Sequence, residues 1–370
     1  MNKKLTILGL ALCLMLSLVL TGCGSSDKLV LNVYNWGEYI SDGSEGSLDT
    51  IAAFEDWYEE TYGEAVKVNY STFASNEDMY NKLSTGAVSY DVIIPSDYMI
   101  ARMIEEDLLL PLNFDNIPNY QYIDESFKGL YYDAEDLYSI PYTYGIVGII
   151  YDANKVGPAD VGSWDLMWNS KYANSILQFN NPRDAFGTAM YKLGIDVNST
   201  SADDWNTAAQ ALIDQKPLVK SYVMDEIFNM MQSGEAAVGT YYAGDYFIMR
   251  ESQAQSVDLQ FYYPEPTNFF IDAMCIPKAA QNKDLAEIFI NFMLSEEAAV
   301  ANAEFIAYAS PNSLVYNSAE YREDMGEETM EILYPDLGEF SQMYNKYAFR
   351  NMSPEMLNLQ NDLWETIKIN

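Results

Sequence analysis

The chain contains no histidine, and only three of its 370 residues are cysteines, at Cys13, Cys23 and Cys275. The lack of histidine excludes Ser-His-Asp and Cys-His nucleophile systems, histidine-based zinc sites and histidine as a general base. Three cysteines are too few for a disulfide framework or a thiolate metal cluster. What remains for chemistry is carboxylates, tyrosines, lysines and a few thiols, and we predict no metal site and no cofactor.

Basic residues are also scarce, with 20 Lys and Arg against 55 Asp and Glu, so the formal net charge is -35. Nucleic acid is therefore not an expected partner, because phosphate binding needs a basic face. The same charge disfavours adhesion to anionic membrane surfaces. Hydrophobic residues make up 49 % of the chain and charged residues 20 %, which is typical of a globular protein with one large or two medium domains.

The first residues have the pattern of a targeting segment. A short basic start precedes an uncharged, Leu-rich run that is short for a membrane span and ends at Leu-Thr-Gly-Cys23. This ending resembles a bacterial lipobox, which implies cleavage before Cys23 and a diacylglycerol on its sulfur. We predict a lipoprotein signal peptide at 1–22 and a lipidated tether at 23–28. An ordinary cleaved signal or a short anchor helix remains the alternative.

The body alternates between strand and helix patterns. Apolar runs predict strands at 29–33, 66–70, 91–94, 145–151, 175–179, 236–242 and 272–277. Helical spacing of apolar residues predicts helices at 51–62, 76–83, 99–110, 185–193, 202–213, 224–232 and 285–294, with further helices in the last fifty residues. Strands that alternate with helices predict an α/β protein whose sheet has a largely parallel core.

Aromatic and polar residues recur where these strands begin or end. They occur at 34–36, 95–98, 181–184, 242–245 and 270–272. Ligands of open α/β sheets bind beyond the carboxyl ends of the strands. The recurrence therefore predicts one ligand cleft to which several strands contribute.

Six segments resemble the spermidine/putrescine-binding proteins of polyamine ABC importers, and the resemblance extends from Leu29 to the C-terminus. The segments are 34–39 (Tyr-Asn-Trp-Gly-Glu-Tyr), 75–80 (Ser-Asn-Glu-Asp-Met-Tyr), 90–96 (Tyr-Asp-Val-Ile-Ile-Pro-Ser), 139–142 (Ser-Ile-Pro-Tyr), 290–293 (Ile-Asn-Phe-Met) and 308–312 (Tyr-Ala-Ser-Pro-Asn). The resemblance implies a two-domain type II periplasmic-binding-protein fold with the cleft between two domains joined by two crossovers. We place domain 1 at 29–142 and 272–316, and domain 2 at 143–271 and 317–370.

The same resemblance implies which residues contact the ligand. Trp36 resembles an aromatic wall of the family's site, Asp272 its central carboxylate, and Asp184 stands where a Glu is usual. The full set of predicted ligand contacts is Trp36, Gly37, Glu38, Ser96, Tyr98, Asn181, Asp184, Tyr242, Asp245, Phe270, Asp272 and Tyr308. We interpret Asp97 as a surface residue rather than a ligand contact and assign no role to Arg350.

Departures from the family pattern favour a diamine as the ligand. Phe270 stands where spermidine-preferring members have Trp and putrescine-preferring members have Phe, and Asn181 stands where spermidine-preferring members often have Asp, which removes one partner for an ammonium group. Tyr242 stands where Trp is common in the family, which weakens the cation–π attraction but adds a hydroxyl. Glu38 and Asp245 match acidic positions of the putrescine-type site. The resemblance therefore favours putrescine over spermidine.

We thus predict a solute-binding protein, not an enzyme, that captures putrescine or spermidine and delivers it to an ABC permease. It is expected to be a monomer, lipid-anchored at Cys23 on the outer face of the cytoplasmic membrane. One alternative keeps the fold and changes the ligand to a sugar or to ferric iron, since the Tyr-Tyr pairs at 131–132, 241–242 and 262–263 resemble iron-binding tyrosines. A second alternative is a secreted hydrolase that uses two carboxylates.

Overall fold

A computed structural model describes residues 29–86 and 88–369. Within these residues the chain forms nine β-strands and thirteen α-helices. The predicted signal peptide and the lipidation site at Cys23 lie outside the described residues. No helix among the described residues is both long and apolar enough to cross a membrane.

The strands form one sheet. Their bounds are β1 Leu29–Trp36, β2 Val66–Phe73, β3 Val92–Ile93, β4 Ser139–Asp152, β5 Ile176–Phe179, β6 Val219–Val223, β7 Val238–Tyr242, β8 Leu259–Tyr262 and β9 Phe269–Cys275. The order across the sheet is β2-β1-β3-β9-β4-β7-β5-β6, with β8 also paired to β4.

The two ends of the sheet are parallel and its centre is antiparallel. Strand β1 pairs in parallel with β2 and β3, and β5 pairs in parallel with β6 and β7. Strand β9 is antiparallel to both β3 and β4, and β4 is antiparallel to β7 and β8. The prediction of a largely parallel core is therefore right only for the two flanks. The antiparallel centre arises because β4 and β9 carry the chain from one flank to the other.

The helices cover both flanks of the sheet. Their bounds are α1 Thr50–Tyr62, α2 Asn76–Ser84, α3 Asp97–Glu105, α4 Pro182–Leu193, α5 Ala202–Gln215, α6 Glu226–Gln232, α7 Ala243–Glu251, α8 Lys283–Met293, α9 Glu296–Ile306, α10 Ser313–Asn317, α11 Ala319–Leu333, α12 Leu337–Tyr347 and α13 Pro354–Ile369. Helix α11 is interrupted at Gly326, whose φ of 75° is not helical.

Helix α1 shows how local sequence sets the bounds. The Asp49 side chain accepts a hydrogen bond from the backbone N–H of Ala52, which satisfies one of the free donors at the helix start. Gly63 ends the helix in the left-handed conformation at φ 72°. Phe54 and Tyr58 are buried on the predicted apolar face, but Tyr62 is 52 % exposed because the helix stops there, beyond the edge of the core.

Five elements were not predicted, namely helices α7, α9 and α10 and strands β6 and β8. Helix α7 begins at Ala-Gly-Asp, a sequence typical of a turn, and tertiary packing overrides that preference. Strand β6 is short and half-exposed, and it contains a lysine and a serine, so it lacks an apolar run. Strand β9 begins three residues earlier than predicted, which places Asp272 in the middle of a strand. Cys275, in the same strand, is fully buried, and burial raises the pKa of its thiol.

Gly148 in β4 permits β8 to pack against the centre of the sheet. A Cβ atom on Gly148 would lie 2.3 Å from the Phe261 ring and 2.6 Å from the backbone oxygen of Tyr262. We expect Gly148→Ala to lower the free energy of unfolding by about 1–3 kcal/mol, since a backbone atom cannot move aside without disturbing the strand pair. Urea unfolding measures this difference.

Gly157→Ala is the matched control. Gly157 has φ −74° and ψ 143°, which alanine adopts without strain, and its nearest contact is the end of the Lys171 side chain at 3.5 Å. The free energy of unfolding should then stay the same or rise by about 0.4–1 kcal/mol. Equal stability of the two variants would contradict this account of β4 and β8.

Candidate functional site: an acidic cleft lined by tyrosines

A cleft of about 790 Å³, counting its opening to solvent, lies where several strands end and helices begin. Strand β1 leads into it at Trp36, and β3 is followed by Ser96 and the start of α3. Strand β5 leads to α4, and β7 leads to α7, in the same way. The carboxyl ends of these strands thus meet at one place, as expected for an open α/β sheet.

The structure brings all twelve predicted site residues to this one cleft. They lie along β1 and its following loop (Trp36, Gly37, Glu38), at the start of α3 (Ser96, Tyr98), at the start of α4 (Asn181, Asp184), at the junction of β7 and α7 (Tyr242, Asp245), in β9 (Phe270, Asp272) and after α9 (Tyr308). Their roles as ligand contacts remain predictions.

The cleft also contains residues that were not predicted. These are Tyr39, Phe73, Ala74, Asn76, Asp97, Met224, Asp225, Phe228, Tyr241, Asn268 and Phe349. Tyr39 and Asn76 belong to segments that carry the family resemblance, so they could have been found from it. Asp225 precedes α6 and follows the unpredicted strand β6, so the sequence carried no sign that it lies at a strand end.

The interpretation of Asp97 as a surface residue is wrong. Asp97 is only 1 % exposed. One of its carboxylate oxygens accepts a hydrogen bond from the backbone N–H of Tyr98 at 2.6 Å, and the other accepts from the N–H of Ile271 at 3.2 Å. Asp97 therefore joins the start of α3 to strand β9, a contact between residues far apart in sequence.

Five tyrosine hydroxyls around the cleft each donate a hydrogen bond to a carboxylate. The pairs are Tyr39–Asp272 (2.7 Å), Tyr98–Glu77 (2.9 Å), Tyr241–Asp225 (3.0 Å), Tyr242–Asp184 (3.0 Å) and Tyr308–Asp245 (2.8 Å). The amide of Asn181 donates a further bond to Asp184 at 2.8 Å. An ionised carboxylate can only accept hydrogen bonds, so these hydroxyl protons are directed at the acids and are not offered to a ligand.

Burial raises the pKa of four acids that line the cleft. It raises the pKa of Asp97, Asp184 and Asp245 to about 7, and that of Asp272 to about 6. Hydrogen bonds from Tyr242, Tyr308 and Tyr39 oppose this rise at Asp184, Asp245 and Asp272 respectively. The cleft thus holds several carboxyl groups whose ionisation is unfavourable unless a cation is present.

No Lys or Arg occurs among the described residues that line the cleft. Arg350, which has no predicted role, is outside this lining. Its guanidinium lies 3.3 Å from the centre of the Tyr131 ring and donates a hydrogen bond to the backbone oxygen of Asn345. The negative charge of the cleft is therefore not neutralised by a basic side chain on its wall.

The acids of the cleft fall into two electrostatic groups. Besides burial, the charges of Asp225 and Glu38 raise the pKa of Asp245, whereas the charges of Glu77 and Asp272 raise the pKa of Asp184. The Phe270 ring lies 5.4 Å from that of Tyr242 and 6.4 Å from that of Tyr308, centre to centre.

One oxygen of Asp272, Oδ1, is buried without a hydrogen-bond partner. The geometry is suited to a ligand with N–H donors at two ends and an apolar middle. Among the described residues there is no group of three or more His, Cys, Asp or Glu arranged to hold a metal ion. The adjacent hydroxyls of Tyr241 and Tyr242 donate to Asp225 and Asp184 instead.

A family model described as bacterial extracellular solute-binding protein matches residues 50–328. The chain is 31 % identical to the spermidine/putrescine-binding periplasmic protein of Salmonella typhimurium over 80 % of this chain and 82 % of that one. It is 27 % identical to the putrescine-binding periplasmic protein PotF of Escherichia coli over 95 % of this chain and 94 % of that one.

Solved structures give the same result. The spermidine/putrescine ABC transporter substrate-binding protein PotD from Streptococcus pneumoniae matches with a TM-score of 0.72 and 32 % identity, over 92 % of this chain and 99 % of that one. The TpPotD lipoprotein of Treponema pallidum matches with a TM-score of 0.74 and 25 % identity, over 92 % of this chain and 100 % of that one. The α/β two-domain type II periplasmic-binding-protein fold is thereby confirmed.

The raised pKa values predict how stability depends on pH. A carboxyl group whose pKa is higher in the folded chain than in the unfolded chain destabilises the fold as it ionises. Without ligand, the free energy of unfolding should therefore fall as pH rises from about 4, the value for unfolded Asp, to about 7. Urea unfolding at a series of pH values measures this slope.

Asp184→Asn removes one of these groups and should reduce the slope, by at most about 1.4 kcal/mol per pH unit. Glu60→Gln, at an exposed position of α1, is the matched control and should leave the slope unchanged. A slope of the opposite sign, or the same slope in all three proteins, would contradict the burial of these acids.

Proposed function

The chain belongs to the bacterial extracellular solute-binding protein family, and we propose that its cleft captures a polyamine and delivers it to an ABC permease. By their names, the Salmonella typhimurium relative binds spermidine and putrescine, and the Escherichia coli relative PotF binds putrescine. Two properties of the cleft support the same ligand class in this chain, namely its charge and the direction of its hydrogen bonds.

The observation that carries the proposal is the set of five tyrosine–carboxylate hydrogen bonds. These bonds use the hydroxyl protons internally, so the hydroxyl and carboxylate oxygens are left as acceptors for the ligand. A ligand that offers only N–H donors, such as an alkylammonium group, complements this wall. An anion or a carboxylic acid would meet buried negative charge, with no basic residue in the described lining of the cleft to compensate it.

The two groups of acids support a diamine. One ammonium end would lie near Asp184 and Asp272, and the other near Asp245, Asp225 and Glu38. The rings of Trp36, Tyr242, Phe270 and Tyr308 would surround the methylene chain and the N–H groups, with cation–π contacts of about 0.5–2 kcal/mol each. Together with the departures at Asn181 and Phe270, this arrangement favours putrescine over spermidine.

The proposal includes the setting of the protein. No catalytic turnover is proposed, and the chain acts as a monomeric receptor outside the cytoplasmic membrane, anchored by lipid at Cys23. The lipoprotein TpPotD, which has the same fold, supports the anchor by its name. We place the domains at 29–142 with 272–316 and at 143–271 with 317–370, and they would close around the ligand.

Calorimetric titration of the purified protein with putrescine, and separately with spermidine, tests the proposal. We expect binding of one molecule per chain, with putrescine the tighter ligand. Asp272→Asn should weaken putrescine binding by about 2–5 kcal/mol, because it removes the acceptor charge from a buried ion pair. Trp36→Phe, which keeps an aromatic ring, should cost less than about 2 kcal/mol.

Ferric citrate and a panel of glycosides serve as controls for the two alternative functions. Failure of both amines to bind, together with a visible charge-transfer colour on adding iron, would replace the polyamine by iron. Hydrolysis of a glycoside would replace the receptor by an enzyme. Unchanged putrescine affinity in Asp272→Asn would show that the ligand lies elsewhere.

A further inference from the structure

The first two residues of helix α2 contact the part of the cleft wall formed by Ser96 and Tyr98, and Asn76 itself also lines the cleft. Asn76 is 3 % exposed and contacts both of these residues. Glu77 is hydrogen-bonded to Tyr98 but is not among the residues that line the cleft. The side chain of Ser75 accepts a hydrogen bond from the N–H of Asp78, which fixes the start of the helix and thus both positions.

The orientation of Asn76 is determined by a backbone group. The N–H of Ser96 can only donate, and it lies 3.0 Å from Oδ1 of Asn76, so this atom is the amide oxygen. Nδ2 of Asn76 therefore donates, to the Ser96 hydroxyl oxygen at 3.0 Å and to the Tyr98 hydroxyl oxygen at 3.2 Å. Both hydroxyl oxygens act as acceptors toward Asn76.

Glu77 determines where the Tyr98 proton points. Its Oε1 lies 2.9 Å from the Tyr98 hydroxyl and, as a carboxylate oxygen, can only accept. The Tyr98 proton is therefore directed at Glu77, behind the wall. What the hydroxyl still offers to the cleft is a lone pair, which suits an N–H donor of the ligand.

This use of Glu77 costs stability. Its Oε2 is buried without a hydrogen-bond partner, and burial raises the pKa of its carboxyl group. A buried carboxylate with one unsatisfied oxygen is less favourable than an apolar side chain of similar size. Residues that cost stability in this way are typical of functional sites.

We propose that Asn76 and Glu77 are positioning residues that orient the hydrogen bonds of Ser96 and Tyr98, so that the Tyr98 hydroxyl offers the ammonium group of the ligand a lone pair and no proton. The inference rests on the proposed polyamine function and deepens it. Without Glu77, the Tyr98 proton has no acceptor behind the wall. Because Asn76 approaches the same oxygen as a donor, the proton would turn toward the cleft and face the ligand's own N–H groups.

The test is a double-mutant cycle of Glu77→Leu and Tyr98→Phe, with putrescine titrated by calorimetry. Glu77→Leu should raise the Kd for putrescine in both backgrounds. The factor should be about ten times larger in the otherwise unchanged protein than in the Tyr98→Phe background, as expected for one misdirected buried hydrogen bond. The Tyr98→Phe background measures what the lost charge alone contributes. The melting temperature of Glu77→Leu should be equal to or higher than that of the unchanged protein.

A second ligand gives a readout that a purely structural role would not change. In 4-amino-1-butanol one ammonium end of putrescine is replaced by a hydroxyl, which can accept the redirected Tyr98 proton. The ratio of its Kd to that of putrescine should fall in Glu77→Leu. Asp78→Asn, one residue away and exposed, removes the same charge from the helix start and should leave the ratio unchanged. Glu77→Met repeats the measurement if leucine lowers the melting temperature.

The outcomes separate the two proposals. If the unchanged protein binds neither putrescine nor spermidine, the proposed function fails and the inference fails with it. If it binds them but Glu77→Leu raises the Kd equally in both backgrounds, or not at all, only the positioning role is overturned.

Discussion

The hydrogen bond from a tyrosine hydroxyl to a carboxylate is the interaction on which this site depends. Several acids lie in one cleft whose described lining contains no basic residue, a situation that mutual repulsion and desolvation both oppose. The tyrosines lower this cost without adding positive charge. They also leave oxygen lone pairs on the wall of the cleft. The hydrogen bonds that lower the cost of burying the acids therefore also make the wall complementary to a ligand with N–H donors.

This arrangement requires that the acids come from distant parts of the chain. Asp97, Asp184 and Asp245 each lie in the first turn of a helix, after β3, β5 and β7 respectively. The positive end of the helix dipole stabilises a carboxylate at such a position. Asp272 comes instead from the middle of β9, which crosses between the two flanks of the sheet. The topology of the sheet therefore delivers the charges, and the tyrosines hold them in place.

The binding site is maintained at a cost to the ligand-free fold. Burial disfavours ionisation of these acids, and Glu77 adds a buried oxygen without a partner. A cationic ligand would supply the missing partner, so binding and stabilisation of the fold would be linked. The rest of the molecule, a large aromatic core on both flanks of the sheet, must supply the stability that the cleft lacks.

The sequence by itself determined most of the elements through local patterns, and its resemblance to the polyamine-binding family implied the fold and the twelve residues that meet in the cleft, because the motifs that carry the resemblance are local and keep their order along the chain. It did not determine the antiparallel centre of the sheet, helix α7, or the burial of Asp97. These depend on which distant strands pair, and no local pattern records that choice. Likewise, only the tertiary structure decided that Glu77 lies behind Tyr98 and that Arg350 packs on Tyr131 outside the cleft. A side chain's hydrogen-bond partner is set by what folding brings beside it, and here the partners come from other elements of the fold.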